Sequence, residues 1–180
     1  MQPPRIETQR LLIKRIEIND SKKMYAYRSL PEVYKYQAWR PESTVEVSEF
    51  VQKINTTKFN VSDSWFQLGI YIKTTKQLIG DIGLHFLLPD NQQTETGFTI
   101  DPKYQRKGYG LECVRAVIGY LFSEMKKHRI VASVDPKNIA SIALLEKLGM
   151  RKEGCFRKSV LIRDQWEDDM IYAILNEEWK

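Results

Sequence analysis

The residues with the clearest capacity for chemistry are Gln105-Arg106-Lys107-Gly108-Tyr109-Gly110. They stand between a strand-like run, Thr94–Ile100, and a segment whose Leu111, Val114, Ile118, Leu121, Phe122 and Met125 recur at helical spacing. A helix N-terminus offers unpaired N–H groups and a partial positive charge, and glycines let successive amides turn toward phosphate oxygens. Arg106 and Lys107 add formal charge. The loop therefore reads as a phosphate cradle, although a lone GxG also fits an ordinary strand-to-helix turn. Two other phosphate motifs fail: no GxxxxGK[ST] string exists, and Leu111-Glu112-Cys113 occupies the place where a dinucleotide fingerprint needs its third glycine.

Elsewhere the reactive residue types are sparse. His85 and His128 belong to no ligand pattern, so no metal site is expected. Cys113 and Cys155 lack CxxC spacing and fall in segments that read as regular structure, which predicts two buried free thiols. The net charge of +5 suits an anionic ligand. Basic and acidic residues alternate, which weakens a nucleic-acid reading. No apolar run reaches the ~20 residues of a membrane span, and the N-terminus has no apolar signal core. A cytoplasmic protein is expected, with no membrane partner; a monomer and a homodimer fit equally.

The elements that must position the loop follow from pattern. Arg10–Ile16 reads as an opening strand, and Asn19-Asp20-Ser21 caps a short helix through Tyr25 and Tyr27 that stops near Pro31. Val33–Pro41 reads as an ordered loop. Ser43-Thr44-Val45-Glu46 has capping-box form, followed by Val47, Phe50, Val51 and Ile54 on one helical face. Trp65–Ile72 and Leu78–Leu88 read as hairpin strands, with Gly80 and Gly83 marking a bulge or close backbone approach. After the glycine loop and its helix come a strand (Arg129–Val134), a helix (Asn138–Leu148, ended by Gly149) and closing strands near Phe156–Ile162 and Trp166–Leu175. The pattern predicts one mixed α/β domain over residues 1–180.

Several strings together resemble the GCN5-related N-acetyltransferase (GNAT) superfamily. Gln105–Gly110 resembles its Q/R-x-x-G-x-G/A signature. Thr8-Gln9-Arg10-Leu11-Leu12-Ile13, Trp39 with Pro41, Asn138-Ile139-Ala140-Ser141, Leu145-Glu146-Lys147-Leu148-Gly149-Met150 and Tyr172–Leu175 with Glu178-Trp179 are similar to the branch that acetylates ribosomal-protein alanines (RimJ/RimL-like). The resemblance implies an α/β (α+β) GNAT fold: a mixed, mostly antiparallel sheet of about seven strands with about four helices, its central strands splayed at the cofactor site.

The same resemblance implies acetyl-CoA as co-substrate and direct transfer of acetyl to a primary amine, a protein N-terminus or a small molecule. Gln105, Arg106, Lys107, Gly108, Tyr109 and Gly110 would hold the pyrophosphate. The backbone at Phe98, Thr99 and Ile100 would pair with pantetheine, with Asn138 and Ser141 alongside it. Glu95 would act as base and Ser141 near the thiolate, since Leu145 stands where many members carry an acidic tyrosine. Read as residues alone, Glu95 also fits a solvent-facing strand position, Asn138 an N-cap and Ser141 a helix surface. Tyr36, Trp39 and His85 are the substrate-side positions; the aromatics also fit core packing, and His85 sits in an apolar run. Rival readings are a polyamine or antibiotic acetyltransferase of the same fold, a non-catalytic acyl-CoA-binding module, and a small RNA-binding domain.

Overall fold

The computed structural model describes residues 2–180. Its strands are β1 (Ile6–Glu7), β2 (Leu11–Arg15), β3 (Ser64–Ile72), β4 (Leu78–Phe86), β5 (Gln93–Ile100), β6 (Arg129–Val134), β7 (Arg151–Ile162) and β8 (Gln165–Leu175). They form one sheet of eight, in the order β1-β2-β3-β4-β5-β6-β8-β7. The helices are α1 (Ser21–Arg28), α2 (Pro31–Tyr34), α3 (Thr44–Thr56), α4 (Tyr109–Ser123) and α5 (Ile139–Lys147). The expected count of about seven strands and four helices is thus one short in each class. β1 adds two residues to the edge, too few for any periodicity to register. α2 is a single turn that runs into the start of the segment that reads as a loop. Pro31, read as a stop, is instead its first residue, where a missing N–H costs nothing and the fixed φ suits the helix.

Alternation along the strands explains the layers. Leu11 and Ile13 enter one apolar cluster with α4, and the intervening Leu12 enters another with α1 and α3, so helices cover both faces of the sheet. α4 buries Cys113, Val114, Val117, Ile118, Leu121 and Phe122. Each such aliphatic or aromatic side chain contributes about 1.5–3 kcal/mol when taken from water. Gly80 lets β4 and β5 meet: a Cβ there would lie 2.2 Å from the Thr99 carbonyl oxygen.

The capping-box expectation holds in one direction only. Ser43 Oγ accepts from the Glu46 amide at 3.1 Å. The Glu46 carboxylate turns away to the Glu42 amide (2.7 Å) and Trp39 Nε1 (2.8 Å), anchoring the loop ahead of α3. At the other end of the sheet, β7 and β8 form a long ribbon that extends past the core. Cys155 is exposed there, correcting the expectation of a buried thiol, while Cys113, on the inner face of α4, is buried. The polar residues Arg151–Glu153 begin β7 with solvent on their side chains, which hides the strand from pattern reading.

Candidate active site

Every neighbouring strand pair is antiparallel except β5 and β6. These two pair only over Gln93↔Arg129, Thr94↔Ile130 and Glu95↔Val131. Beyond Glu95, β5 stays with β4 as far as Ile100↔Gly80, and β6 stays with β8 as far as Val134↔Met170. The strands must part. The opening is a cleft of about 600 Å³ at the carboxyl ends of a parallel pair, the place where open sheets hold ligands. Phe98 and Thr99 line one wall, Val134, Asn138 and Ser141 the other. The Ile100 side chain does not reach it and packs into the core.

The glycine loop leads from β5 into α4. Asp101 Oδ1 accepts from the Lys103 amide (3.1 Å), and Gln105 Nε2 donates back to the Ile100 carbonyl (2.9 Å). Gln105 therefore shapes the turn with its side chain. Arg106 (φ 58) and Gly108 (φ 80) both take the left-handed conformation, and Gly108 is the N-cap of α4. The first-turn amides of that helix have no carbonyl one turn back to bond, leaving them free for an anion. Arg106 and Lys107 are exposed beside them, and Tyr109 and Gly110 half-buried.

The Thr8–Arg10 segment secures this loop. Arg10 donates to the Lys107 carbonyl (2.9 Å), lies 4.5 Å over the Tyr109 ring and pairs with Glu112 at 2.6 Å. Thr8 Oγ1 donates to the same Glu112 at 2.6 Å. Burial works against the Glu112 charge, but Thr8 and Arg10 hold its carboxyl below the usual range.

Glu95 is the last β5 residue paired to β6 and lies on the cleft wall. Opposite it on β4 is His85, whose Nδ1 is 3.6 Å from Glu95 Oε2, while its Nε2 lies 3.3 Å from Asp63 Oδ1. Trp65 stacks on the imidazole at 4.8 Å. His85 is half-buried behind Glu95, outside the lining itself. Burial pushes the Glu95 carboxyl above the ordinary range; His85 opposes this and Asp169 reinforces it.

Asn138 caps α5, its Oδ1 accepting from the Ser141 amide at 3.2 Å. Its amide nitrogen and the Ser141 hydroxyl have no hydrogen-bond partner among the described residues and belong to the cleft wall. Leu145 completes that wall as a buried apolar side chain. Tyr36 and Trp39 roof the cleft. Tyr36 Oη donates to the Lys137 carbonyl (3.2 Å), tying the roof to the loop before α5. Trp39 packs on Phe50 with ring centroids 4.5 Å apart, so it serves wall and core at once.

Sequence reasoning missed three supports of this site. Asp81, fully buried, receives Tyr27 Oη, both Arg28 Nε (3.1 Å) and Arg28 Nη2, and Gln67 Nε2. Arg28 continues to Gln37 Oε1 (2.9 Å), and Gln37 Nε2 to Thr99 Oγ1 (2.7 Å), reaching the cleft wall. Arg163, at the β7–β8 turn, donates to the carbonyls of Tyr34 (2.8 Å), Gln37 and Lys35 (3.2 Å), holding the roof from outside. The third is the role of Arg10 and Glu112. All join positions far apart in the chain, and no local pattern announces them.

A parallel pair that parts beside a glycine loop is the arrangement that the resemblance in the sequence implies. Residues 10–151 match the acetyltransferase (GNAT) domain model, and the chain belongs to that family: it is an N-acetyltransferase. It is 36% identical to the uncharacterized N-acetyltransferase YnaD of Bacillus subtilis, over 97% of this chain and 98% of that one. It is 27% identical to the [ribosomal protein uS5]-alanine N-acetyltransferase of Escherichia coli, over 97% and 92% of the two chains. Among solved structures, a GNAT-family acetyltransferase from Bacillus anthracis superposes with a TM-score of 0.86 at 33% identity, covering 97% of this chain and all (100%) of that one. The fold is also shared with spermidine N-acetyltransferase from Vibrio cholerae, solved with CoA and spermine (TM-score 0.81, 20% identity, 95% and 98% covered). No helix among the described residues is long and apolar enough to cross a membrane, and no group of metal-ligating side chains forms among them.

Proposed function

We propose that residues 1–180 act as one transferase unit that takes acetyl-CoA in the β5–β6 cleft and passes its acetyl group to a primary amine at Glu95. The divergence of β5 and β6 beyond Glu95, ending at the glycine cradle, carries this reading. The amides of Arg106 through Gly110 would hold the pyrophosphate, with Arg106 and Lys107 neutralising it. The free edge of β5 at Phe98 and Thr99 suits an extended, amide-bearing arm, with Asn138 offering a side-chain amide opposite.

Acetyl transfer from a thioester needs an oriented, neutral amine, a polarised carbonyl and a proton for the departing thiolate. Glu95, raised in pKa and backed by His85, is suited to accept the proton from the incoming ammonium. Ser141 Oγ is the available hydroxyl on the thiolate side. A free thiol has a pKa of ~8.5, so Leu145 in place of an acidic residue slows the step without preventing it.

Calorimetric titration with acetyl-CoA, paired with thiol release in the presence of amines, tests the proposal. Wild type is expected to bind and turn over. Gly108→Trp is expected to lose binding: its φ of 80 disfavours any side chain, and a Cβ there would lie 3.2 Å from the Arg10 guanidinium. Binding without turnover on any amine would contradict the proposal.

A further inference from the structure

We infer that the acceptor chamber of this cleft selects a primary amine borne on an apolar body, of aromatic or large aliphatic size, with no second cation near it. The inference rests on the acetyl-transfer reading and specifies its acceptor. Its basis is the charge and the apolar lining of the part of the cleft beyond Glu95. There the walls are Trp39, Phe50, Ile54 and Trp65.

The charged side chains on the whole cleft wall are Arg28, Glu95 and Asp135. Arg28 is matched by the fully buried Asp81, so together they present no net charge. Asp135 is held at the opposite end, where its Oδ1 accepts from the Lys137 amide at 2.7 Å in the turn before α5. Asp169 stands behind Ser133, whose hydroxyl donates to it at 2.6 Å, and is not on the wall. Among the described residues on the wall, Glu95 alone remains to balance an ammonium. A second cation in the chamber would be stripped of water against tryptophan and phenylalanine with no carboxylate to meet it, a heavy cost. One amine fits; a chain of them does not.

The chamber walls match an apolar body. Trp39 and Phe50 form one side, tilted at 34° to each other. Trp65, 47% exposed, forms another and is held flat by the His85 ring, at an interplanar angle of 12°. Gly83 keeps the floor low: a Cβ there would strike Gln67 Oε1 at 2.8 Å and the Trp65 ring at 3.1 Å. Gln67 Nε2 is spent on Asp81, while its Oε1 has no partner among the described residues, leaving one neutral acceptor for a donor on the bound molecule. Two sources share this chemistry: a peptide N-terminus whose first side chain is large and apolar, and a free arylalkylamine.

The test is initial-rate CoA thiol release at saturating acetyl-CoA with four acceptors: phenethylamine, a Phe-initiated tetrapeptide, the matching Ala-initiated tetrapeptide and spermidine. At least one phenyl-bearing acceptor is expected to exceed both spermidine and the Ala peptide in kcat/KM by about tenfold or more, the range that a few methylenes contribute in an apolar pocket. The preferred phenyl acceptor tells the peptide source from the free amine. Trp65→Ala, at an exposed wall position, is expected to erase that preference while leaving acetyl-CoA affinity unchanged. Spermidine or the Ala peptide matching or exceeding the phenyl acceptors would overturn the inference and leave the transferase reading standing. Retention of the full preference in Trp65→Ala would also overturn it. Absence of turnover with every amine would overturn both readings, and calorimetry with acetyl-CoA would then separate a bound but idle cleft from an empty one.

Discussion

At the scale of single residues, Glu95 shows how a strand position comes to face a cleft. Its neighbours on β5, Thr94 and Thr96, are buried, while its own side chain reaches the point where β6 departs. A carboxyl whose folded-state pKa is raised loses its charge at higher pH than a free glutamate. A step needing ionised Glu95 is therefore full above that raised value and fades as pH falls through it. The acid side of the kcat/KM profile is expected to contain this carboxylate step, lying above the ordinary glutamate value of ~4.3. Glu95→Gln should remove it and leave only the step due to the substrate amine; an unchanged profile would exclude Glu95 as base. Asp81 carries a different kind of prediction. Asp81→Asn leaves the Arg28 guanidinium buried against a neutral partner, and breaking a buried pair in this way costs about 3–5 kcal/mol. Chemical denaturation should show that loss, and a stability change under 1 kcal/mol (well below the ~3–5 expected) would show the pair to be hydrated.

At the scale of elements, the site is a set of loops clamped by distant side chains. The roof at residues 34–39 is held by Arg163 from the β7–β8 turn and by the Tyr36–Lys137 bond. Lys35 lies within it and Arg40 directly after it, both exposed. Arg163→Ala is expected to speed trypsin cleavage at these two positions several-fold over wild type, since three carbonyl contacts vanish together. Equal cleavage rates would mean that the roof holds without the guanidinium. Periodicity made α3, α4, β6 and the Asn138 cap legible, because each couples a repeating apolar face to a recognisable end residue. Pro31 misled because proline both stops a helix and starts one, and only the following turn decides. Glu46 misled because Trp39 and the Glu42 amide compete for the carboxylate that a capping box would use. Arg28 with Asp81, and Arg10 with Glu112, were not legible, because an ion pair between remote positions leaves no trace in local spacing.

At the scale of the whole molecule, one topological fact organises the rest: a single parallel pair, β5 and β6, sits inside an otherwise antiparallel sheet. The crossover through α4 makes that pair parallel and also delivers the glycine cradle to its open end, so anion site and cleft come from the same connection. The motif residues from Glu95 to Ser141 gather because both strands end there. The acceptor side is assembled from α1, the roof, α3 and β3–β4, whose contributions are packing and charge balance. That is why the proposed cofactor end has a counterpart in strings of residues and the proposed acceptor end emerges only from the structure.

The measurement that bears most directly on this account is amine-dependent release of CoA thiol from acetyl-CoA by the intact chain, followed across the acceptor panel. The account predicts release well above the amine-free rate with at least one primary amine, and its loss in Glu95→Gln with acetyl-CoA affinity retained. Release that no amine accelerates, or that Glu95→Gln leaves untouched, would contradict it.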